Sequence, residues 1–158
     1  QIQPKVILIA NLNSLYVKEP LLGWSPEDTQ LIWGSELGRT LSGLSRLNTQ
    51  VLIVQPPPRF NYDLRYDLSL LWPNSVKESR GDVVSRRENI NEIEENAIVG
   101  FDFVRPILNF TDEFCNADIC DPKISNKFMF EDNDHLSVDG SIFVSSVIER
   151  AISEALAR

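Results

Sequence analysis

The chain has 158 residues, 42% of them apolar and 24% charged, which is one domain's worth of sequence able to bury roughly 70% of its unfolded surface. The apolar fraction, with three Trp, three Tyr and eight Phe, excludes an intrinsically disordered chain, and no run approaches the ~18 apolar residues of a membrane span. With 15 basic and 23 acidic residues the net charge is −8, which argues against nucleic acid and anionic membrane surfaces as partners.

The first part of the chain predicts a strand, a helix and a second strand. Residues 6–10 form an apolar run without alternation, which is typical of a strand buried on both faces of a parallel sheet. Ser25 and Pro26 then form a helix start, and Asp28 completes a spacing like that of a capping box. The apolar face of this helix consists of Trp33, Leu37, Leu41, Leu44 and Leu47.

The second strand follows directly. Residues 51–54 are apolar throughout, and three prolines at 56–58 end the run. Strand, helix and strand in this order predict a right-handed parallel crossover. Glycines in the intervening helix, Gly34, Gly38 and Gly43, are expected to weaken it but to allow a close approach to the sheet.

The rest of the chain continues the alternation of helices and strands. Residues 59–81 have no clean period and predict a long irregular segment near the functional face. We expect Asp82 to cap a helix over 83–98 that Gly100 ends, and short strands near 101–104 and 127–130. The last helix is predicted to begin after Ser137 and to bury Val144, Val147, Ile148, Ala151, Ala155 and Leu156.

Two cysteines, Cys115 and Cys120, stand close together in a polar segment. Their spacing is too wide for a CxxC redox pair, and the sequence has no second cysteine pair for a zinc site. A disulfide that closes this short loop is the favoured interpretation, with two buried free thiols as the alternative and a metal site shared with His135 as a remote option. A disulfide would place the domain outside the reducing cytosol.

His135 is the only histidine, and it lies just before the last predicted helix. An imidazole can act as a general base near neutral pH when a carboxylate fixes its tautomer and stabilises the imidazolium. Asp132, three residues earlier, can fold back onto the ring in a tight loop, whereas we expect the side chain of the adjacent Asp134 to diverge from it. A solvated acidic loop with an exposed histidine is the alternative.

This constellation resembles the last block of the SGNH/GDSL hydrolases, an Asp-x-x-His before the final helix. It is most similar to the SGNH domains fused to acyltransferase-3 membrane proteins, in which a Cys-flanked loop precedes an aromatic residue, the Asp-x-x-His, Leu-Ser and Gly. The matching residues here are Cys115, Cys120, Phe130, Asp132, His135, Leu136, Ser137 and Gly140. The resemblance spans most of the chain, and its specific part is residues 115–140.

The family also carries a Gly-x-Asn-Asp block after an internal strand, and its Asn helps to form the oxyanion hole. Asn13 occupies the corresponding place, so the resemblance implies an oxyanion donor there. Asn11 stands in place of the Gly and Ser14 in place of the Asp. An Asx turn that closes the strand is the alternative interpretation of this segment.

Family members carry the nucleophilic Ser in a Gly-Asp-Ser block, which this sequence does not contain. Gly81 and Asp82 are followed by Val83, and Ser35 lies inside a predicted helix and not on a nucleophile elbow. The chain begins with Gln1, without a signal peptide, just before what would be the third strand. We therefore expect the first strand, its Ser and the next crossover to lie upstream.

The resemblance implies one α/β domain over residues 1–158, a three-layer α/β/α sandwich with a parallel sheet, SGNH hydrolase-like and flavodoxin-like, that lacks its N-terminal nucleophile segment. It implies acyl transfer, namely O-acetylation of a cell-envelope polysaccharide. A Ser from outside the chain would take the acyl group, His135 would be general base and then acid, and Asp132 would orient it. Neither a metal nor another cofactor is needed.

The implied partners are a glycan acceptor, an acyl donor and a membrane acyltransferase domain that tethers this domain outside the cytoplasm. A free-standing carbohydrate esterase is a second hypothesis. A non-catalytic glycan-binding or docking module is a third, from a different class of function.

Overall fold

The computed structural model describes residues 3–10, 25–61 and 76–157, so Asn13 and its neighbours in the predicted oxyanion turn lie outside the described residues. The helices are α1 (Pro26–Leu44), α2 (Arg80–Ser85), α3 (Glu88–Ala97), α4 (Thr111–Phe114) and α5 (Val138–Leu156). The strands are β1 (Val6–Ala10), β2 (Gln50–Val54), β3 (Glu78–Ser79), β4 (Ile119–Cys120), β5 (Lys123–Ile124) and β6 (Lys127–Phe128).

The described residues divide into two compact units. The first unit comprises the described residues up to Gln55, residues Arg87–Leu108 and the described residues from Arg150 onward. The second unit comprises the described residues of Pro56–Arg86 and residues Asn109–Glu149. Among these residues no helix is both long enough and apolar enough to cross a membrane. The three-layer arrangement and the single domain stay predictions.

The first unit contains the predicted parallel pair of strands. β1 pairs with β2 in parallel, with Val6 opposite Gln50 and Ala10 opposite Val54. Residues 103–108 run parallel along β2 as well, where the Val51 N–H donates to the Phe103 carbonyl at 2.9 Å. Sequence order therefore correctly indicated a mixed α/β chain with parallel strands.

The strand predicted near residues 101–104 is present only as isolated bridges to β2. The Arg105 N–H donates to the Val51 carbonyl, but the next bond to β2, at Ile53, comes from the Leu108 N–H. The segment thus advances three residues where β2 advances two, as in a β-bulge. Pro106 lies within this step, and because it lacks an N–H it cannot continue a regular ladder.

The burial of β2 is as predicted, but that of β1 is not. All four residues from Val51 to Val54 are buried. In β1, Ile7 and Ile9 pack against the core around Leu41, whereas Leu8 is 42% exposed. The expectation of a strand buried on both faces is wrong for β1, because an apolar run does not reveal how many layers cover it.

Helix α1 begins where the sequence predicted. The Ser25 hydroxyl accepts the Asp28 N–H at 3.1 Å, and Leu37 and Leu41 are buried on the predicted face. The close approach to the sheet that we expected at its glycines is absent from the described residues. A Cβ on Gly34 would lie 3.0 Å from the Ile93 side chain of α3, so the close neighbour is a helix and not the sheet, while Gly38 has nothing within 4 Å.

The helix predicted over 83–98 is two helices, α2 and α3. Ser79 and not Asp82 is the N-cap of α2: its hydroxyl accepts the Asp82 N–H at 3.1 Å and donates to the Asp82 carboxylate at 2.7 Å. Arg87, at φ −126°, leaves the helical conformation and precedes α3. The prediction failed because a capping box begins at the earlier Ser, which starts the helix one turn sooner.

The second unit packs around phenylalanine rings. Phe130 meets Phe60 at 5.0 Å and Phe114 at 4.9 Å between ring centroids, both edge to face. Phe114 also contacts Phe143 of α5 at 5.7 Å. Such edge-to-face pairs add about 0.5–1.5 kcal/mol beyond area burial, so this cluster anchors the segments that carry Phe60 and Phe130.

The C-terminal predictions are largely confirmed. The short strand β6 forms at Lys127–Phe128 and pairs with β5, and α5 begins at Val138, directly after Ser137. Val144, Val147 and Ala155 are buried, but Leu156 is 52% exposed. The buried stripe was extended too far because Leu156 lies in the last turn of the helix.

The two cysteines form the favoured disulfide. Cys115 and Cys120 are bonded, with their Cα atoms 3.9 Å apart. Asn116 closes the loop between them, because its side-chain oxygen accepts the N–H groups of Asp118 at 2.9 Å and Ile119 at 2.8 Å. The interpretation as free thiols is therefore wrong.

Removing this disulfide is expected to lower the free energy of unfolding by about 2 kcal/mol, because the unfolded chain regains the freedom of a short loop. Urea denaturation of the protein and of a Cys115→Ser/Cys120→Ser variant measures the difference. Thiol titration of the denatured, unreduced protein should detect no thiols. Two titratable thiols in protein made in an oxidising compartment would contradict the pairing.

Candidate active site

His135 lies in a short loop directly before α5, and backbone hydrogen bonds close this loop. The Glu131 N–H donates to the His135 carbonyl at 2.8 Å, and the Ser137 N–H donates to the Met129 carbonyl at 2.9 Å. Phe130 and Leu136 form an antiparallel bridge between these two bonds. The chain therefore reverses over residues 131–135, which is the tight loop that the Asp-x-x-His spacing predicted.

Ser137 and Gly140 set the position of α5 against this loop. The Ser137 hydroxyl accepts the Gly140 N–H at 3.1 Å, which caps the helix, and donates to the Phe128 carbonyl at 2.8 Å. A Cβ on Gly140 would lie 1.9 Å from the Met129 carbonyl oxygen. Only glycine allows the first turn of α5 to lie this close to Met129, which leads from β6 into the loop.

Asp132 folds back onto the imidazole. The Nδ1 atom of His135 lies 2.9 Å from one carboxylate oxygen of Asp132 and 3.0 Å from the other. The carboxylate also accepts the backbone N–H groups of Asp134 at 3.0 Å and His135 at 2.8 Å. This geometry suits an Nδ1–H tautomer, in which Nε2, on the other side of the ring, can accept a proton.

The two side chains differ in their exposure to solvent. The Asp132 side chain is 15% exposed, whereas that of His135 is 66% exposed. A largely buried carboxylate beside an exposed imidazole orients the ring without blocking it. The arrangement can remove a proton from a hydroxyl group that approaches Nε2 and return it to a leaving group.

Hydrogen bonding keeps Asp132 ionised. Burial raises the pKa of its carboxyl, but the backbone N–H groups of Asp134 and His135, and then the His135 ring, lower it more. The net result is a pKa lowered from 3.8 to about 2. Asp132 is therefore a fixed anion beside the imidazole throughout the pH range in which histidine titrates.

The lowered pKa of Asp132 predicts a pH-dependent contribution to stability. A carboxyl whose folded pKa is below its unfolded pKa stabilises the fold above the unfolded value, about pH 4, and loses this contribution as the pH falls to about 2. The gap in unfolding free energy between the protein and Asp132→Asn should therefore narrow from pH 5 to pH 2 in urea denaturation.

The control for this experiment is Asp102→Asn, which removes one negative charge at an exposed position. It accounts for the general effect of net charge on acid unfolding. A gap for Asp132→Asn that stays constant over this pH range would contradict the prediction.

Asp134 does not diverge from the imidazole, and the expectation that it does is wrong. One of its oxygens lies 3.2 Å from Nδ1 of His135, and its side chain is only 12% exposed. The other oxygen lies 3.8 Å from Nε of Arg59. Neighbouring side chains diverge in extended backbone, but the turn stabilised by Asp132 curls residues 132–135 so that both carboxylates face one ring nitrogen.

Asp132, Asp134 and His135 together offer three atoms that could bind a metal ion, and these atoms lie within 4.8 Å of one another. Acidic clusters of this kind are common without a cation. Nδ1, the ring nitrogen near the two carboxylates, is within hydrogen-bonding distance of Asp132, so the arrangement needs no metal to satisfy it. The geometry is that of an oriented imidazole.

Two residues that support the loop were not predicted from the sequence. The Phe60 N–H donates to the Asn133 carbonyl at 2.8 Å, and Arg59 approaches Asp134. Both follow the prolines after β2, at the start of the segment expected near the functional face. The available signal was their place beyond the carboxyl end of a parallel strand, where α/β proteins build their sites.

The comparisons with known proteins agree with the motif. A family profile described as "SGNH domain (fused to AT3 domains)" matches residues 1–150. A search of curated protein sequences gave no match.

Among solved structures, the fold is similar to that of the lipopolysaccharide acetyltransferase periplasmic domain of Salmonella ser. Paratyphi A. The TM-score is 0.62 at 15% sequence identity, over 95% of this chain and 57% of that one. The chain thus spans little more than half the length of that structure. Since the family profile covers nearly all of the sequence, the chain belongs to the family of SGNH domains that are fused to AT3 domains.

Proposed function

We propose that this domain is the acyl-transferring part of an O-acetyltransferase that modifies a cell-envelope polysaccharide outside the cytoplasm. The observation that carries the proposal is the contact of 2.9 Å between Asp132 and Nδ1 of His135, in the motif where the family has its catalytic Asp and His. The similar fold of a periplasmic acetyltransferase domain supports it.

In this mechanism His135 and Asp132 act on a serine outside the chain. The sequence contains no Gly-Asp-Ser block, so we assign the nucleophile to a segment beyond these 158 residues. Nε2 of His135 takes the serine proton as the oxygen attacks the acyl carbonyl, and Asp132 stabilises the imidazolium. His135 then protonates the leaving group of the donor, which leaves an acyl-serine.

The second half of the reaction uses the same residues in reverse order. A sugar hydroxyl of the acceptor loses its proton to Nε2 and attacks the acyl-serine, and the serine recovers a proton from the imidazolium. The amide of Asn13 is the proposed oxyanion donor in both steps. Such a donor is worth about 2.7–4 kcal/mol of barrier in comparable sites.

The acyl group would reach the serine from an AT3 membrane domain to which this domain is tethered. The description of the family, an SGNH domain fused to AT3 domains, supports this partner. The disulfide between Cys115 and Cys120 supports a location outside the reducing cytosol.

The test uses the full-length protein and its His135→Ala variant, with acetylation of the cell-envelope polysaccharide measured by mass spectrometry. Loss of acetylation in the variant, at equal protein level, is the expected result. Unchanged acetylation would overturn the proposal and favour a binding or docking module. Acetate release into water that depends on His135 but not on a sugar acceptor would favour a carbohydrate esterase instead.

A further inference from the structure

We propose that Asp134 and Arg59 form a charge-balanced positioning pair for His135, with Asp134 as a second carboxylate charge close to Nδ1 and Arg59 offsetting that charge. Its consequence for catalysis rests on the proposed function, but its effect on the imidazole does not. Asp134 belongs to the short histidine loop, whereas Arg59 comes from a segment distant in sequence.

The distances place two carboxylate charges beside one ring nitrogen. Nδ1 of His135 hydrogen-bonds to Asp132 at 2.9 Å, and an oxygen of Asp134 lies 3.2 Å from the same nitrogen as an ion-pair neighbour. The remaining oxygen of Asp134 faces Nε of Arg59 at 3.8 Å. Each oxygen of Asp134 thus has one nitrogen of His135 or Arg59 within ion-pair distance.

The backbone of Arg59 is itself braced. Its carbonyl accepts Nη1 of Arg86 at 2.8 Å, and Arg86 forms an ion pair with Glu78. Glu78 in turn accepts the backbone N–H of Asn61. Bonds on both sides of Phe60 therefore fix the segment from which the Arg59 side chain reaches Asp134.

The net charge around the His135 imidazole gives the reason why Asp134 and Arg59 act together. In the described part of the chain, the charged groups that face the imidazole are Asp132 and Asp134, with Arg59 behind the latter. Two carboxylates and one guanidinium sum to −1, the charge of a single orienting aspartate. Without Arg59 a second unbalanced anion would hold the proton on the imidazolium too strongly, and without Asp134 the guanidinium would oppose protonation.

Among the described residues, three other charged groups belong to the histidine loop or to the contacts that brace Arg59. Glu78 and Arg86 neutralise each other, and Glu131, in the same loop, is exposed. Screening by solvent weakens the influence of an exposed charge. Arg59 and Asp134 are therefore the two groups whose removal should act on His135 in opposite directions.

The test is an NMR titration of the 158-residue chain, in which His135 is the only histidine, so that its ring signals report one site. In Asp134→Asn the titration midpoint should move to lower pH, since an anion beside the imidazolium is lost. In Arg59→Gln it should move to higher pH, and in the double variant it should return close to that of the unmodified protein. Glu131→Gln is the control for loss of one charge in the loop.

Midpoints that do not move, or that move in the same direction in both variants, would overturn the proposal. A merely structural role predicts no opposite movement and no return in the double variant. If Asp134→Asn does not fold, Arg59→Gln decides alone: a midpoint at higher pH supports the pair, and an unchanged or lower one overturns it.

Activity of the full-length protein gives a second readout. Asp134→Asn should lower kcat about 10-fold, the lower end of what loss of a carboxylate partner costs for metal-ligating histidines, with little change in KM for the acceptor. Asp134→Glu should restore part of it. If the proposed function is wrong, no variant changes acetylation, but the His135 titration midpoint still moves in opposite directions in Asp134→Asn and Arg59→Gln. If the positioning pair is wrong, these opposite movements are absent, so the failure of one proposal can be told from the failure of the other.

Discussion

Asp132→Asn is expected to reduce kcat for acyl transfer by as much as ~10⁴, the loss seen when the aspartate of a serine-protease triad is replaced by asparagine. The substitution preserves the shape of the side chain. It removes the anion that lies 2.9 Å from Nδ1, and an asparagine N–H in that place favours the tautomer with the proton on Nε2. A histidine in that tautomer cannot accept the serine proton. The measurement is kcat of the full-length protein at fixed pH.

The matched control is Asp134→Asn, which removes a charge from the same ring nitrogen. Asp132 is nearer to Nδ1 and also accepts two backbone N–H groups, so its loss should be the larger by at least about 100-fold. A larger loss from Asp134→Asn would overturn the assignment of Asp132 as the orienting carboxylate. It would also weaken the motif on which the proposed mechanism stands.

Gly140→Ala is expected to lower the free energy of unfolding by about 3 kcal/mol, at the upper end of the usual cost of overpacking. The new Cβ would lie 1.9 Å from the Met129 carbonyl oxygen, so the start of α5 and the strand before the histidine loop must separate. That movement breaks the bond between the Ser137 N–H and the Met129 carbonyl. We therefore expect activity to fall together with stability.

The control is a second glycine inside a helix. Gly38→Ala lies in α1, where a new Cβ meets nothing within 4 Å. Alanine there should stabilise the protein by about 0.5–1 kcal/mol through helix propensity alone. Urea denaturation of both variants separates the effect of the Cβ contact with Met129 from the effect of helix propensity on the free energy of unfolding. Equal effects of the two substitutions would show that Gly140 has no special packing role.

Interactions between residues close in sequence were predictable. The start of α1 at Ser25, the disulfide between Cys115 and Cys120, and the return of Asp132 onto His135 each join groups no more than five residues apart. Their geometry depends on a single turn, so residue type and spacing suffice. The alternation of strands and helices was predictable for a related reason, since apolar periodicity reports directly which face of an element is buried.

Interactions between distant residues were not predictable in this way. Nothing in the spacing shows that Arg59 approaches Asp134, or that the Met129 carbonyl leaves no room for a Cβ at Gly140. The exposure of Leu8 likewise depends on what packs beside β1 and not on the apolar run itself. These contacts arise when the chain brings remote segments together.

The sequence by itself thus determined the chemistry of the candidate site, an imidazole oriented by the carboxylate of Asp132, because a few adjacent residues build it. Only the tertiary structure decided how many carboxylates face His135 and which cation balances them. The physical reason is that a turn constrains its own residues through local hydrogen bonds, whereas the field at the imidazole sums over every charged group that folding places near it.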